Sequence, residues 1–255
     1  MALITRRVGL IIQARMGSRR FPGKVLERLG NDSLLGFLIK RVQRCRRVDV
    51  VVVATSTNPL DDRLVEPCHE AGVPVFRGSE GDVLQRYVRC TIEHQCSLVV
   101  RVTADNPLTD PEGIDELIHT LDRRRAVYAH NKHRHGYPVG TGAEVITAEA
   151  LAQADRLAHD PSDREHVTTY VACHPEQFPT AQVDAPRSLQ APGLFFTVDY
   201  PEDLLLLRRL HVLVPVVPEG SLAEYLACLR AHPDLARLHH LHVEDEDQTP
   251  VAHSR

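Results

Sequence analysis

The 255-residue sequence has no Cys-x-x-Cys pair, no apolar run long enough to cross a membrane, no internal repeat and no marked excess of either charge. Each absence removes a class of function. Cys45, Cys68, Cys90, Cys96, Cys173 and Cys228 are scattered singly, which fits free thiols in a reducing compartment rather than a disulfide frame or a zinc site. The first apolar run is cut short by Arg15, too soon for a signal peptide or a membrane span, so the expected location is the cytoplasm. A formal net charge of −4 gives no global reason for a nucleic-acid or membrane partner. Any anion site must therefore be assembled locally, from clustered basic residues.

What is present is alternation. Buried strands are expected over 8–13, 48–54, 73–76 and 98–102, with helices over 34–45, 58–70, 82–93 and 111–121. Strands alternating with helices predict a Rossmann-like α/β fold, a mostly parallel sheet with helices on both faces. After Val127 the pattern changes. A histidine-rich basic loop is expected over 128–138, a strand over 143–146, helices over 148–159 and 163–173, and a buried strand over 194–198. Apolar helices follow over 201–213 and 222–231. The division is one domain over 1–238 and a polar, mobile tail over 239–255. In such sheets ligands bind beyond the carboxyl ends of the strands, which here are 13–24, 55–56, 77–79 and 103–106.

The segment from Gln13 to Lys24 carries Arg15, Arg19, Arg20 and Lys24 with no acid. Gly17 and Gly23 permit close backbone approach, and Pro22 stiffens the turn. Backbone amides with Arg and Lys at a strand end suit a polyphosphate. It is not a Walker A loop: Gly17 and Gly23 are one residue too far apart, and Val25 stands where a hydroxyl would be. No GxGxxG pattern occurs either. Composition alone is equally compatible with a solvated basic loop; position at the first strand end favours an anion cradle.

Two acids, Asp105 and Asp199, each follow an expected buried strand, so both can project over one edge of the sheet. Hard carboxylate oxygens without nearby His or Cys suit Mg²⁺. Locally, Asp105 also reads as a turn former before Asn106-Pro107, and Asp199 as an N-cap for the helix from Pro201. His130, His133 and His135 fit no tight zinc spacing. Arg164-Glu165-His166 reads equally as an exposed first helical turn.

The stretch Ile11-Ile12-Gln13-Ala14-Arg15-Met16-Gly17-Ser18-x-Arg20-x-Pro22-Gly23-Lys24-Val25-Leu26 closely resembles the opening signature of the SpsF-type (spore-coat polysaccharide) cytidylyltransferase-like family, related to CMP-Kdo and CMP-acylneuraminate synthetases. The resemblance continues through Val53-Ala54-Thr55-Ser56, Val75-Phe76-Arg77-Gly78-Ser79, Arg101-Val102-Thr103-Ala104-Asp105-Asn106-Pro107-Leu108, Arg164-Glu165-His166-Val167-Thr168 and Val198-Asp199-Tyr200-Pro201-Glu202-Asp203-Leu204. It implies the nucleotide-diphospho-sugar transferase fold, CTP as donor, a small sugar-like or phosphonate acceptor, and Mg²⁺. Arg15, Ser18, Arg20 and Lys24 match positions that grip the triphosphate, with Arg15, Arg20 and Lys24 carrying catalysis. Gln13, Ala14, Gly17 and Thr103 match the nucleotide pocket, Thr55 and Arg77 more loosely. Asp105 and Asp199 match the metal ligands. Glu144, Arg164 and His166 fall in stretches expected near the acceptor. Such relatives are commonly homodimers, and 127–180 is the counterpart of their acceptor and dimerisation segment. Gly142 stands where an aspartate is common, Asn106 where a cysteine is usual, and Arg19 and Phe21 replace Thr and Leu. A glycosyltransferase of the same fold would normally carry an Asp-x-Asp pair, where this chain has the single acid of Asp105-Asn106-Pro107. A non-catalytic nucleotide-binding protein is the third reading.

Overall fold

Strand β1 (Val8–Gln13) is almost wholly buried, and its β-branched run is paired on both sides. The computed structural model describes residues 6–214 and 219–238; the tail expected from 239 onward lies outside the described residues. After β1 come the short β2 (Arg28–Leu29) and β3 (Asp32–Ser33), then α1 (Leu34–Val42), β4 (Val50–Ser56) and α2 (Val65–Glu70). β5 (Val75–Gly78), α3 (Val83–Glu93), β6 (Leu98–Thr103) and α4 (Pro111–Arg124) complete the expected alternation. The chain continues through β7 (Tyr128–His130), β8 (Glu144–Thr147), α5 (Ala148–Leu157), α6 (Pro161–His166), α7 (Thr169–Cys173) and β9 (Thr180–Gln182). It closes with α8 (Pro201–Leu213), α9 (Leu222–Ala231) and α10 (Pro233–Leu238). No helix among the described residues is long and apolar enough to cross a membrane.

The central sheet runs β5-β4-β1-β6-β8-β7-β9. β5, β4, β1 and β6 are parallel, and β8 is antiparallel to both β6 and β7. The segment 127–180, expected to serve the acceptor and dimerisation, supplies β7, β8 and the start of β9 to the same sheet. Register aligns Gln13 with Ala54 on one side and Thr103 on the other. The loops leaving β1, β4 and β6 therefore emerge side by side at one edge.

Helices cover both faces, as the alternation predicts. α1 and α4 bury Leu35, Leu38, Ile39, Ile114, Leu117 and Ile118 on one side. α3 and α5 bury Leu84, Tyr87, Val88, Leu151 and Ala154 on the other. Each such aliphatic side chain contributes roughly 1.5–3 kcal/mol of burial. A third cluster joins α8 and α9 to Leu34 and Phe37 at the outer side of α1, and takes in Phe196 and Val198.

The structure corrects several boundaries. The strand expected over 194–198 is an extended segment with one isolated bridge, Val139 to Phe195. Its amides serve loops instead: Phe196 N–H donates to Val139 O, and Val198 N–H donates to Asp105 O at 2.8 Å. The loop expected over 128–138 begins as β7 and contains a 3-10 turn at His133–His135. The helix over 58–70 starts as a 3-10 helix, Pro59–Leu64. The helix expected over 163–173 is broken at Val167 (φ 63°, ψ −57°), where Thr168 N–H bonds to His166 O at 2.6 Å. That is a γ-turn, strained for a β-branched residue.

The 194–198 segment is held from outside by Gly140 (φ +82°), where an added Cβ would lie 2.5 Å from Thr197 N. Gly140→Ala is expected to cost about 1–3 kcal/mol, from the left-handed backbone and the clash together. Urea unfolding of the two proteins checks this.

Candidate active site

The basic loop after β1 is a closed ring. Met16 O accepts both Ser18 N–H and Gly23 N–H at 3.0 Å, and Phe21 N–H points to Ser18 Oγ. Gly23 (φ +75°) turns the chain at the end of the ring, and Lys24 opens a short 3-10 turn. From below, the ring stands on Asp61. This carboxylate is 2% exposed and accepts Met16 N–H (2.7 Å), the Thr55 hydroxyl (2.9 Å), the Ser56 hydroxyl (2.5 Å) and Ser56 N–H (3.1 Å). Burial pushes its pKa up. The bonds from Met16, Ser56 and Thr55 outweigh that and hold it below the ordinary aspartate value.

Above the ring, Lys24 is 7% exposed. Its Nζ donates to Val198 O at 2.6 Å, Asp199 Oδ1 at 2.9 Å and Asp105 Oδ2 at 3.1 Å. Arg20 Nη2 pairs with Asp199 Oδ2 at 2.7 Å, and its guanidinium lies over the Tyr200 ring. Arg15 Nη2 faces Glu165 Oε1 at 3.7 Å. Asp199 does not cap α8 with its side chain; Asp203 accepts the amides of Asp199 and Tyr200. The Asp199 carboxylate is thereby left to the cations.

These groups line a cleft of about 720 Å³ at the carboxyl edge of the sheet. Of the residues expected from sequence, it brings together Gln13, Ala14, Arg15, Gly17, Ser18, Arg20, Lys24, Thr103, Asp105, His166 and Asp199. Four others are placed differently. Thr55 is buried and serves Asp61. Arg77 donates to Ser56 O and Asn58 O at 2.9 Å and pairs with Asp62, so it clamps the turn after β4. Arg164 is bound to Asp82 (2.5 Å) and Asp155 (2.7 Å), tying α6 to the start of α3 and to α5. Glu144 is a buried hub, 4% exposed. It is held by Arg101 (2.5 Å), Lys132 (2.8 Å), the Thr168 hydroxyl (2.7 Å) and the Tyr128 hydroxyl. Burial opposes its charge, but Arg101 and Lys132 dominate and keep its carboxyl far below the usual range. Glu144 borders an adjoining cavity of about 170 Å³, which shares Arg101 and Thr103 with the main cleft. Gly142 lines this second cavity, and a Cβ there would lie 2.7 Å from Asn131 O.

Sequence reasoning missed Arg101, Glu80 and Glu165, which also line the cleft. Arg101 had a signal: it is a lone charge inside the apolar strand β6, opposite Glu144 in register. Asp61 had none, since an acid in a first helical turn is ordinary. The histidine loop holds His130 and His135 with ring centroids 5.2 Å apart. Burial first, then Lys132 and His135, push His130 down to about 4.

Residues 10–224 match the family model described as Cytidylyltransferase. Over 231 residues the chain is 36% identical to the spore coat polysaccharide biosynthesis protein SpsF of Bacillus subtilis (strain 168), covering 89% of this chain and 95% of that one. It is 35% identical over 120 residues to the 3-deoxy-manno-octulosonate cytidylyltransferase of Anaeromyxobacter dehalogenans (strain 2CP-1), 46% of this chain and 48% of the relative. Among solved structures, a cytidylyltransferase from Leptospira borgpetersenii serovar Hardjo-bovis (strain JB197) superposes with a TM-score of 0.85 at 29% identity, covering 90% of this chain and 96% of that one.

The Asp61 post gives a pH prediction. Because its carboxyl is depressed in the fold, its stabilisation is full above the unfolded value of about 3.9 and is lost as pH falls through the lower folded value. Asp61→Ala is expected to cost about 1–3 kcal/mol at neutral pH. On acidification its stability declines less steeply than that of the wild type. Urea midpoints from neutral pH down to ~pH 3 measure this; parallel declines would remove Asp61 as the support of the loop.

Proposed function

The chain belongs to the cytidylyltransferase family and is a nucleotidyltransferase; on that premise we propose that it transfers CMP from CTP to a small sugar-like or phosphonate acceptor, releasing pyrophosphate. The observation that carries the reading is the meeting of Lys24, Asp105 and Asp199 beside a cationic loop, from three distant parts of the chain. The cleft volume of about 720 Å³ suits a nucleoside triphosphate. The smaller cavity beside it, walled by Arg101, Thr103 and Glu144, offers the acceptor a place next to the reacting phosphorus.

Arg15, Arg20 and Lys24 do their work by exchanging partners. In the ligand-free protein their charges rest on Glu165, Asp199 and Asp105. Triphosphate oxygens then compete for the same guanidinium and lysine groups, which neutralise charge on the α-phosphate and on the departing pyrophosphate. An acceptor oxygen attacks the α-phosphorus in line. A new P–O bond forms as the bond to the bridging α–β oxygen breaks, and that oxygen leaves with the pyrophosphate. Positioning and electrostatics carry most of the acceleration.

The donor set also fits a divalent cation. Asp105 Oδ2, Asp199 Oδ1 and Val198 O already surround a positive charge, the Lys24 ammonium, with oxygen alone. Asp105 and Asp199 would hold Mg²⁺, which when bound supplies further neutralisation of the phosphates.

Pyrophosphate release from CTP, ATP, GTP and UTP against a panel of sugar, phosphate and phosphonate acceptors tests the reading. CTP is expected to be used selectively, with activity lost to a chelator and restored by Mg²⁺. Lys24→Met and Arg20→Ala are each expected to lower kcat/KM about 10²-fold or more. Release of a nucleotide from a nucleotide sugar, with no pyrophosphate from CTP, would make the chain a glycosyltransferase instead. Undiminished turnover by Lys24→Met would remove the phosphate role of Lys24.

A further inference from the structure

Asp105 and Asp199 stand on separate segments that no regular strand pairing joins, yet their carboxylates meet on one lysine. A line of side-chain hydrogen bonds runs between the two segments. The Thr197 hydroxyl lies 2.8 Å from Asn106 Oδ1, Asn106 Nδ2 lies 2.9 Å from Thr103 Oγ1, and the Thr103 hydroxyl lies 2.7 Å from Asp105 Oδ1.

Proton counting fixes the direction of this line. Asp105 as a carboxylate only accepts, so Thr103 spends its single proton there. Thr103 Oγ1 must then accept from the side of Asn106, which requires the amide N–H₂ to face it. Asn106 Oδ1 is thereby turned to Thr197, whose hydroxyl donates. Each link follows from the one before, and the orientation of the amide is set by the network.

We propose that Asn106 is a positioning residue of the nucleotide site. It holds Thr103 as a donor to Asp105 Oδ1, which leaves Oδ2 for the cation, and it holds Thr197 at the foot of Asp199, which fixes the spacing of the two carboxylates. The main chain supports the same junction, since Val198 N–H donates to Asp105 O. Asn106 lines the smaller cavity and Thr103 lines both, so the relay lies in the partition between them. A side chain that lacks either a donor or an acceptor cannot do this, because the position must accept from Thr197 and donate to Thr103. This inference rests on the cation-binding role given above to Asp105 and Asp199.

The experiment measures Mn²⁺ affinity by electron paramagnetic resonance, for the full chain with and without CTP, alongside thermal unfolding. Asn106→Leu keeps the shape and removes both polar ends; it is expected to weaken Mn²⁺ about 10–100-fold, the usual cost of losing an outer partner of a metal ligand. Thr103→Val is expected to do the same, and Thr103→Ser to retain affinity. The double variant Asn106→Leu/Thr103→Val is expected to lose no more than either alone, because one relay is broken once. Thr197→Val guards against misfolding of the others. Thr197 touches neither carboxylate, so a several-fold loss of affinity at an unchanged unfolding midpoint is attributable to the relay. Additive losses, or Mn²⁺ affinity within about 2-fold of wild type in Asn106→Leu and Thr197→Val, would overturn the proposal while leaving CTP turnover and cytidylyl transfer standing. A wild-type protein that binds no Mn²⁺ even with CTP would sink both.

Discussion

A single buried lysine holds the catalytic edge of this protein together. Lys24 Nζ contacts Asp105, Asp199 and the carbonyl of Val198, and so binds the first loop of the chain to two segments far from it in sequence. Lys24 is buried, while the side chains of Asp105 and Asp199 keep 28% and 27% of their surface exposed, so the contact is partly shielded from water. Removing either carboxylate leaves the buried ammonium with less opposite charge beside it. The arrangement is stable only while every charge has its opposite, and Lys24, Arg20 and Arg15 each face a carboxylate of the chain itself.

The parallel half of the fold was legible because its signals are local. Apolar β-branched runs alternate with amphipathic helices, and the basic loop falls at the end of the first strand. The antiparallel half was harder to read. β7 and β9 span only three residues each, too few to show a period. The segment 194–198 looks like a buried strand because Phe196 and Val198 are indeed buried, although its amides go to loops. The break at Val167 has no sequence signal, since a valine with positive φ is imposed by its surroundings rather than by its own preference.

The site divides along the same line. The ring residues and the two aspartates line one cleft, as the family resemblance implied, whereas position and charge alone had left each aspartate a local alternative. Thr55, Arg77 and Arg164 were misplaced because a polar group at a strand end looks the same in sequence whether it faces a ligand or a neighbour. In space the difference is plain: Arg77 is spent on Ser56, Asn58 and Asp62, and Arg164 on Asp82 and Asp155. Glu144 borders the smaller cavity, but most of its side chain is committed within the fold. It neutralises Arg101 and Lys132 and connects, through Thr168, to the strained turn that carries Glu165 and His166 into the cleft.

The doubly accepting carbonyl of Met16 has one more implication. Both of its donors, Ser18 and Gly23, sit at set distances along the chain, so the loop behaves as a hoop of fixed circumference. Arg19 on its rim is exposed and borders the cleft. Lengthening or shortening the hoop by one residue would rotate Lys24 away from its two carboxylates. Exchanging one rim side chain for another leaves the path of this hoop intact, whereas an insertion or deletion alters its circumference.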